Sequence, residues 1–148
     1  MSKFIMMIGI PGSGKSTFAE KIAQSENGII ISSDELREEL FGNVWEFKKN
    51  ALLFSEMFRR SGRYLNEGKS VVFDATNITR SERKQVLKKF EPFYKVCYYI
   101  KTPLEKVLYQ NSIRNRNVPE EIIIKMHEKI QEPDPSEGWD EIHIIDNS

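Results

Sequence analysis

Gly9-Ile10-Pro11-Gly12-Ser13-Gly14-Lys15-Ser16-Thr17 decides the fold of this 148-residue chain. The stretch fits GxxxxGK[ST], follows the apolar run Phe4-Ile5-Met6-Met7-Ile8 and opens into a helical pattern. That strand, loop and helix context is the one a Walker A sequence requires. Gly9, Gly12 and Gly14 free the backbone to turn tightly, so that successive N–H groups from Gly12, Ser13 and Gly14 onward converge at the positive end of the following helix. Such a concavity takes phosphate oxygens. Lys15 supplies a mobile cation for β- and γ-phosphates, the Ser16 hydroxyl is placed to ligate Mg²⁺, and Thr17 reaches the α-phosphate from the next position. The implied ligands are ATP and Mg²⁺.

Outward from this loop the chain alternates. Residues 16–25 read as a helix, Asn27-Gly28 turns it into a strand over 29–31, and a helix follows from Asp34 with Ser33 as its cap and Gly42 at its end. Residues 46–66 form a longer helix with Ala51, Phe54, Phe58 and Leu65 near one face. A strand over 70–73 ends at Asp74, a helix over 79–90 starts with Thr79 or Ser81 as cap, and 93–100 is a strand rich in aromatic and β-branched residues. Pro103 opens a helix to Ser112, Arg114-Asn115-Arg116-Asn117 interrupts the pattern, and Pro119 restarts it through Ile130. The last strand covers 142–145. Strands alternating with helices imply a five-stranded parallel sheet covered on both faces, with ligands outside the carboxyl ends of the strands. The phosphate loop, Asp34 and Asp74 each follow a strand, so all three gather on one sheet edge.

The length fits one domain over 1–148, with a short lid at about 111–119. Met1-Ser2-Lys3 leads straight into a strand and no apolar run approaches a membrane span, so the expected location is the cytoplasm. Cys97, the only cysteine, lies in an apolar stretch and is expected to be buried and structural. The 22 basic and 22 acidic residues cancel, which argues against a strong sequence-independent grip on long nucleic acid. Within that balance, residues 46–89 hold 11 Lys and Arg against 5 acids, an excess that fits either a phosphorylated substrate or a set of solvated helix faces.

Several side chains carry candidate chemistry. Asp34 and Arg37 are spaced i, i+3 in a first helical turn. A carboxylate there accepts the proton of an attacking hydroxyl, and the arginine holds a substrate phosphate or the charge developing on a transferred group. Both also have a local reading, as a helix-end acid and a surface arginine. Asp74 ends an apolar strand in the Walker B manner, where it organises a Mg²⁺ shell or orients a cation. Arg114 and Arg116 lie between two helices on a segment able to close over nucleotide and exclude water. His127 and His143 lack a metal-ligand partner at suitable spacing and read as structural. Trp45, Phe47, Phe54 and Phe58 sit at helical spacing, which suits core packing more than base stacking.

The order GxPGSGKST, Ser33-Asp34-Glu35-Leu36-Arg37, Asp74-Ala75-Thr76-Asn77, then Asn111-Ser112-Ile113-Arg114 with Val118-Pro119-Glu120-Glu121, resembles the kinase module of phage and bacterial polynucleotide 5′-hydroxyl kinases over about residues 3–131. The resemblance implies an adenylate-kinase-like P-loop NTPase fold. It also implies that Lys15 and Ser16 hold ATP and Mg²⁺, that Asp34 is the general base, that Arg37 engages the acceptor-side phosphate, and that Arg114 is the lid arginine. The implied partner is a 5′-hydroxyl DNA or RNA end. Gln110 departs from the pattern, standing where a further lid arginine is expected, and no phosphatase or ligase domain follows. Related kinases of this fold act on tRNA-linked serine, sugars, small metabolites or antibiotics, so a small hydroxyl acceptor is the alternative. A nucleotide-dependent switch is the reading outside enzymes.

Overall fold

The apolar strands assemble into one parallel sheet in the order β2-β3-β1-β4-β5, from β1 (Lys3–Ile8), β2 (Gly28–Ser32), β3 (Ser70–Asp74), β4 (Tyr94–Lys101) and β5 (Glu141–Asp146). The structure is a computed structural model, and it describes residues 1–42, 48–114 and 118–148. The helices among the described residues are α1 (Lys15–Glu26), α2 (Ser33–Phe41), α3 (Asn50–Asn66), α4 (Arg80–Lys88), α5 (Leu104–Ser112) and α6 (Glu120–Lys129), with a 3₁₀ turn at Pro135–Glu137.

β1 lies at the centre and is apolar on both sides, as a parallel strand covered twice must be. Phe4, Met6 and Ile8 face one layer, with Leu53, Met57 and Leu65 of α3 and Val86 and Leu87 of α4. Ile5 and Met7 face the other, with Ala19, Ile22 and Ala23 of α1. A third cluster joins Ile10 of the phosphate loop to Val107 of α5 and Ile123 of α6. Placing β3 beside β1 brings Asp74 level with Met7, two residues before the loop begins, while Ser32 at the end of β2 pairs with Asp74 from the other side. Hence the ends of β1, β2 and β3 form one ledge.

Three local expectations are corrected. The cap of α2 is Ser32, whose hydroxyl accepts from the Glu35 N–H at 3.4 Å, so Ser33 is already helical. The buried stripe of α3 is Leu53, Met57, Ser61 and Leu65, four residues apart, and Ala51 is exposed. α4 ends at Lys88, because Lys89 and Phe90 leave the helix in a turn. α5 ends at Ser112, as the sequence reading expects, and the connection to α6 starts at Ile113. The expected helix start at Glu46 lies outside the described residues. Among the described residues no helix is long and apolar enough to cross a membrane.

Candidate active site

The ledge carries a cleft of about 490 Å³ lined by the phosphate loop, Asp34 and Arg37 of α2, Asn50 and Phe54 of α3, Ala75 and Thr76 after β3, and Gln110, Arg114, Pro119 and Ile122 at the α5–α6 connection. Its floor is the loop. Gly12 and Gly14 adopt φ +87 and +91, a left-handed region that side chains with a Cβ rarely occupy. A Cβ on Gly12 would stand 2.7 Å from the Val107 carbonyl oxygen, so α5 is seated directly on the loop backbone. α1 begins at Lys15 with Gly14 as its cap, no side-chain cap bond and no acid in its first turn. The amides at its positive end thus keep their hydrogen-bonding capacity for an anion.

Lys15 donates to Asp74 Oδ1 at 3.0 Å, both side chains being largely buried. The loop lysine and the acid at the end of β3 therefore meet, and Ser16 and Thr17 line the same cleft. An ammonium, backbone amides, two hydroxyls and a carboxylate suit a triphosphate and a hard cation that prefers oxygen ligands. Among the described residues no group of three or more His, Cys, Asp or Glu could hold a metal by itself. A cation in this cleft would depend on bound phosphates for part of its shell.

Opposite the loop, Arg37 Nη1 donates to Asp34 Oδ1 at 3.1 Å and Nη2 to Asn50 Oδ1 at 3.1 Å. Arg37 is only 5% exposed, which removes its reading as a surface arginine. Burial pushes its pKa down from the ordinary value, and the Asp34 carboxylate pulls it back up. Asp34 remains about half exposed at the cleft wall. Arg114 lines the cleft from the third side. Arg116, with Trp45 and Phe47, lies outside the described residues.

The loop is also held from behind, by groups to which the sequence reading gave no role of their own. Thr102, just past β4, and Asn147, just past β5, both donate to the Ser13 carbonyl, at 2.8 and 2.9 Å. Lys106 of α5 donates to the Asn147 carbonyl oxygen at 3.1 Å. Asn77, at φ 51, sends its amide to the Met7 carbonyl at 2.8 Å, while the Gly9 N–H donates to the Thr76 carbonyl at 3.1 Å. Arg83 buttresses that turn from α4, donating to the Asn77 carbonyl at 2.7 Å and to Glu137 Oε1 at 2.7 Å, with both side chains of the ion pair fully buried. For Thr102 and Asn147 the usable sequence signal was a short polar residue immediately after a strand.

The basic excess of residues 46–89 is largely spent within the molecule. Arg59 and Arg60 pair with Glu56, Lys49 and Lys89 lie over Phe41 and Phe58, and Arg83 is internal. Phe54 and Phe58 pack with Phe73 in the core. Cys97 is buried, and desolvation pushes its thiol up to about 12, which makes it unreactive near neutrality. His143 stacks on Tyr98 and sits 2.9 Å from Glu141.

Comparison with known proteins matches residues 4–133 to a family described as AAA domain. A curated relative, the L-seryl-tRNA(Sec) kinase of Methanococcus maripaludis, is 34% identical over 149 residues that cover 92% of this chain and 55% of the relative. The chain thus spans about half the length of that protein. Among solved structures, a chain of the Pnkp1/Rnl/Hen1 RNA repair complex superposes with a TM-score of 0.75 at 23% identity, over 86% of this chain and 43% of that one. Kti12 of Chaetomium thermophilum, solved with ADP-AlF3, gives 0.74 at 17% identity over 98% and 89%. At these identities the two structures speak for the fold alone.

Proposed function

The chain belongs to the AAA domain family, and from that membership and the geometry of the cleft we propose that it is a Mg²⁺- and ATP-dependent kinase that transfers the γ-phosphoryl group to a hydroxyl. The observation that carries the reading is the placement of the Asp34–Arg37 pair across one cleft from the Walker A loop. A nucleotide switch needs the loop but has no use for a half-exposed carboxylate beside a buried arginine on the opposite wall.

In this reading the amides of residues 12–17 and the Lys15 ammonium hold the β- and γ-phosphates, and Ser16 and Asp74 hold Mg²⁺, which neutralises phosphate charge when bound. Asp34 accepts the acceptor's proton as the hydroxyl oxygen bonds to the γ-phosphorus, and the bond from that phosphorus to the bridging oxygen breaks, releasing ADP. Arg37 orients the acceptor, and Arg114, together with Arg116, meets the charge on the transferring group from the connection before α6. These roles are proposals.

The acceptor we propose is a primary hydroxyl borne by a nucleic acid. The order of motifs and the likeness to a chain of an RNA repair complex support a 5′-hydroxyl end of RNA or DNA. The 34% identity to an L-seryl-tRNA(Sec) kinase supports the seryl hydroxyl of a charged tRNA as the second reading. The test offers γ-labelled ATP and Mg²⁺ with 5′-hydroxyl RNA, 5′-hydroxyl DNA, a 5′-phosphorylated control and seryl-tRNA. Label on the 5′-hydroxyl oligonucleotides alone establishes the first reading, and label on seryl-tRNA alone the second. Label on none, with ATP bound, moves the acceptor to a small molecule, and ATP-driven shape change without any labelled acceptor returns the switch.

A further inference from the structure

Resting on the role just given to Arg114, we propose that Asn111 is a positioning residue that fixes the root of that arginine against the phosphate loop. Asn111 lies in the last turn of α5 and is 5% exposed. Its Nδ2 donates to the Val118 carbonyl at 2.7 Å and its Oδ1 accepts from the Val118 N–H at 2.8 Å. One side chain therefore joins the two stems of the α5–α6 connection, at positions 111 and 118. Arg114 springs from the first stem, its N–H donating to the Asn111 carbonyl at 3.3 Å.

The same residue touches the floor of the cleft. A Cβ on Gly12 would come within 3.3 Å of Asn111 Cβ, one turn along α5 from Val107, whose carbonyl oxygen already limits that glycine. Ile10, Val107 and Ile123, with Val118 packed against them, tie the loop, α5 and α6 into one apolar unit. Asn111 is thus the point where the phosphate loop and both stems of the arginine-bearing connection come together. Only a primary amide donates and accepts at once from a fixed planar fork, so Asp loses the donated bond and Leu loses both. Displacement of a catalytic group by about 1 Å costs on the order of 10²-fold in rate. A loosened stem at position 111 would reach the reaction by that route, with no contact between Asn111 and the substrate.

A double-mutant cycle of Asn111→Ala with Arg114→Ala tests the inference. Turnover of γ-labelled ATP is read both as label on a 5′-hydroxyl RNA oligonucleotide and as phosphate released to water, so the cycle can be completed with water as the acceptor. ATP affinity is measured by calorimetry beside it. Acting through Arg114, Asn111→Ala lowers kcat by about 10-fold to 10²-fold with ATP affinity within about threefold. In the Arg114→Ala background it adds less than about twofold, because the group it positions is gone. Equal losses in both backgrounds, or a loss of ATP affinity that follows a fall in Tm, overturn the inference and leave a structural side chain. An Arg114→Ala protein that turns over normally removes instead the role of Arg114, on which the inference rests. Should Asn111→Ala fail to fold, Asn111→Asp retains the acceptor for the Val118 N–H and nearly the same shape. Its kcat is expected to fall in the native background and to be unchanged beside Arg114→Ala.

Discussion

Replacing Arg83 by methionine removes a guanidinium that is fully buried and makes four hydrogen bonds. Two go to Glu137, at 2.7 and 3.4 Å, one to the Asn77 carbonyl at 2.7 Å, and one to the Glu132 carbonyl at 3.3 Å. What remains is a Glu137 carboxylate out of contact with water, its surviving partner being the Asp134 N–H at 2.5 Å. Leaving one member of a buried ion pair uncompensated costs about 3–5 kcal/mol. Domains of this kind are stable by about 5–15 kcal/mol, so the loss takes a large share. At about 2–4 °C per kcal/mol for a chain of this size, Tm falls by about 6–20 °C. Urea unfolding followed by circular dichroism gives the corresponding change in midpoint. Arg83→Met with Glu137→Leu removes both charges, and apolar replacement of a whole buried pair is often neutral, so the double variant should recover most of the loss. A single variant within about 1 kcal/mol of the native protein, or a double variant no more stable than the single one, refutes the reasoning.

Asp34→Asn keeps a neutral partner for the buried Arg37, and Asp34 itself is about half exposed. Stability should therefore stay within about 1 kcal/mol while transfer falls by about 10²–10⁴-fold, and more than about a tenth of the native rate removes Asp34 as the base. Gly12→Ala puts a Cβ at φ +87 and 2.7 Å from a backbone oxygen. It should destabilise by about 1–3 kcal/mol and weaken ATP binding, and native affinity by calorimetry counts against the loop geometry described. Hydrogen bonds from Arg59 and then Arg60 hold Glu56 at about 2, below its ordinary value of 4.5. Its contribution is present above pH 4.5 and fades as the pH falls toward 2. The gap in denaturation midpoint between the native protein and Glu56→Gln should close across that window, and a gap that stays constant rejects the pairing.

The parts of the molecule legible in the sequence were those set by neighbours in the chain. The phosphate loop is a contiguous motif, and the apolar runs before Ser32-Ser33-Asp34 and Asp74 marked β2 and β3, which put Asp34 and Asp74 on the correct ledge. Burial was less legible. Arg37 carried a surface reading beside its functional one and Arg83 was counted in a basic excess open to a solvated-face reading, yet one is 5% exposed and the other fully buried. The partner of Arg83 lies 54 residues away, beyond the reach of any periodicity. Ala51 looked like a core position because alanine is apolar, whereas the stripe that meets the sheet starts at Leu53. Thr102 and Asn147 reach Ser13 because β4 and β5 end beside the loop, a fact of strand order that no local pattern carries.

That last arrangement bears on how the protein comes to be made. The loop, at residues 9–17, is translated well before residue 147, after the edge strand β5, which supplies one of the donors that grip its Ser13 carbonyl. A nascent chain therefore carries its glycines and lysine long before it carries the frame that shapes them. The shape of the loop should therefore mature only when residue 147 has been translated and docked.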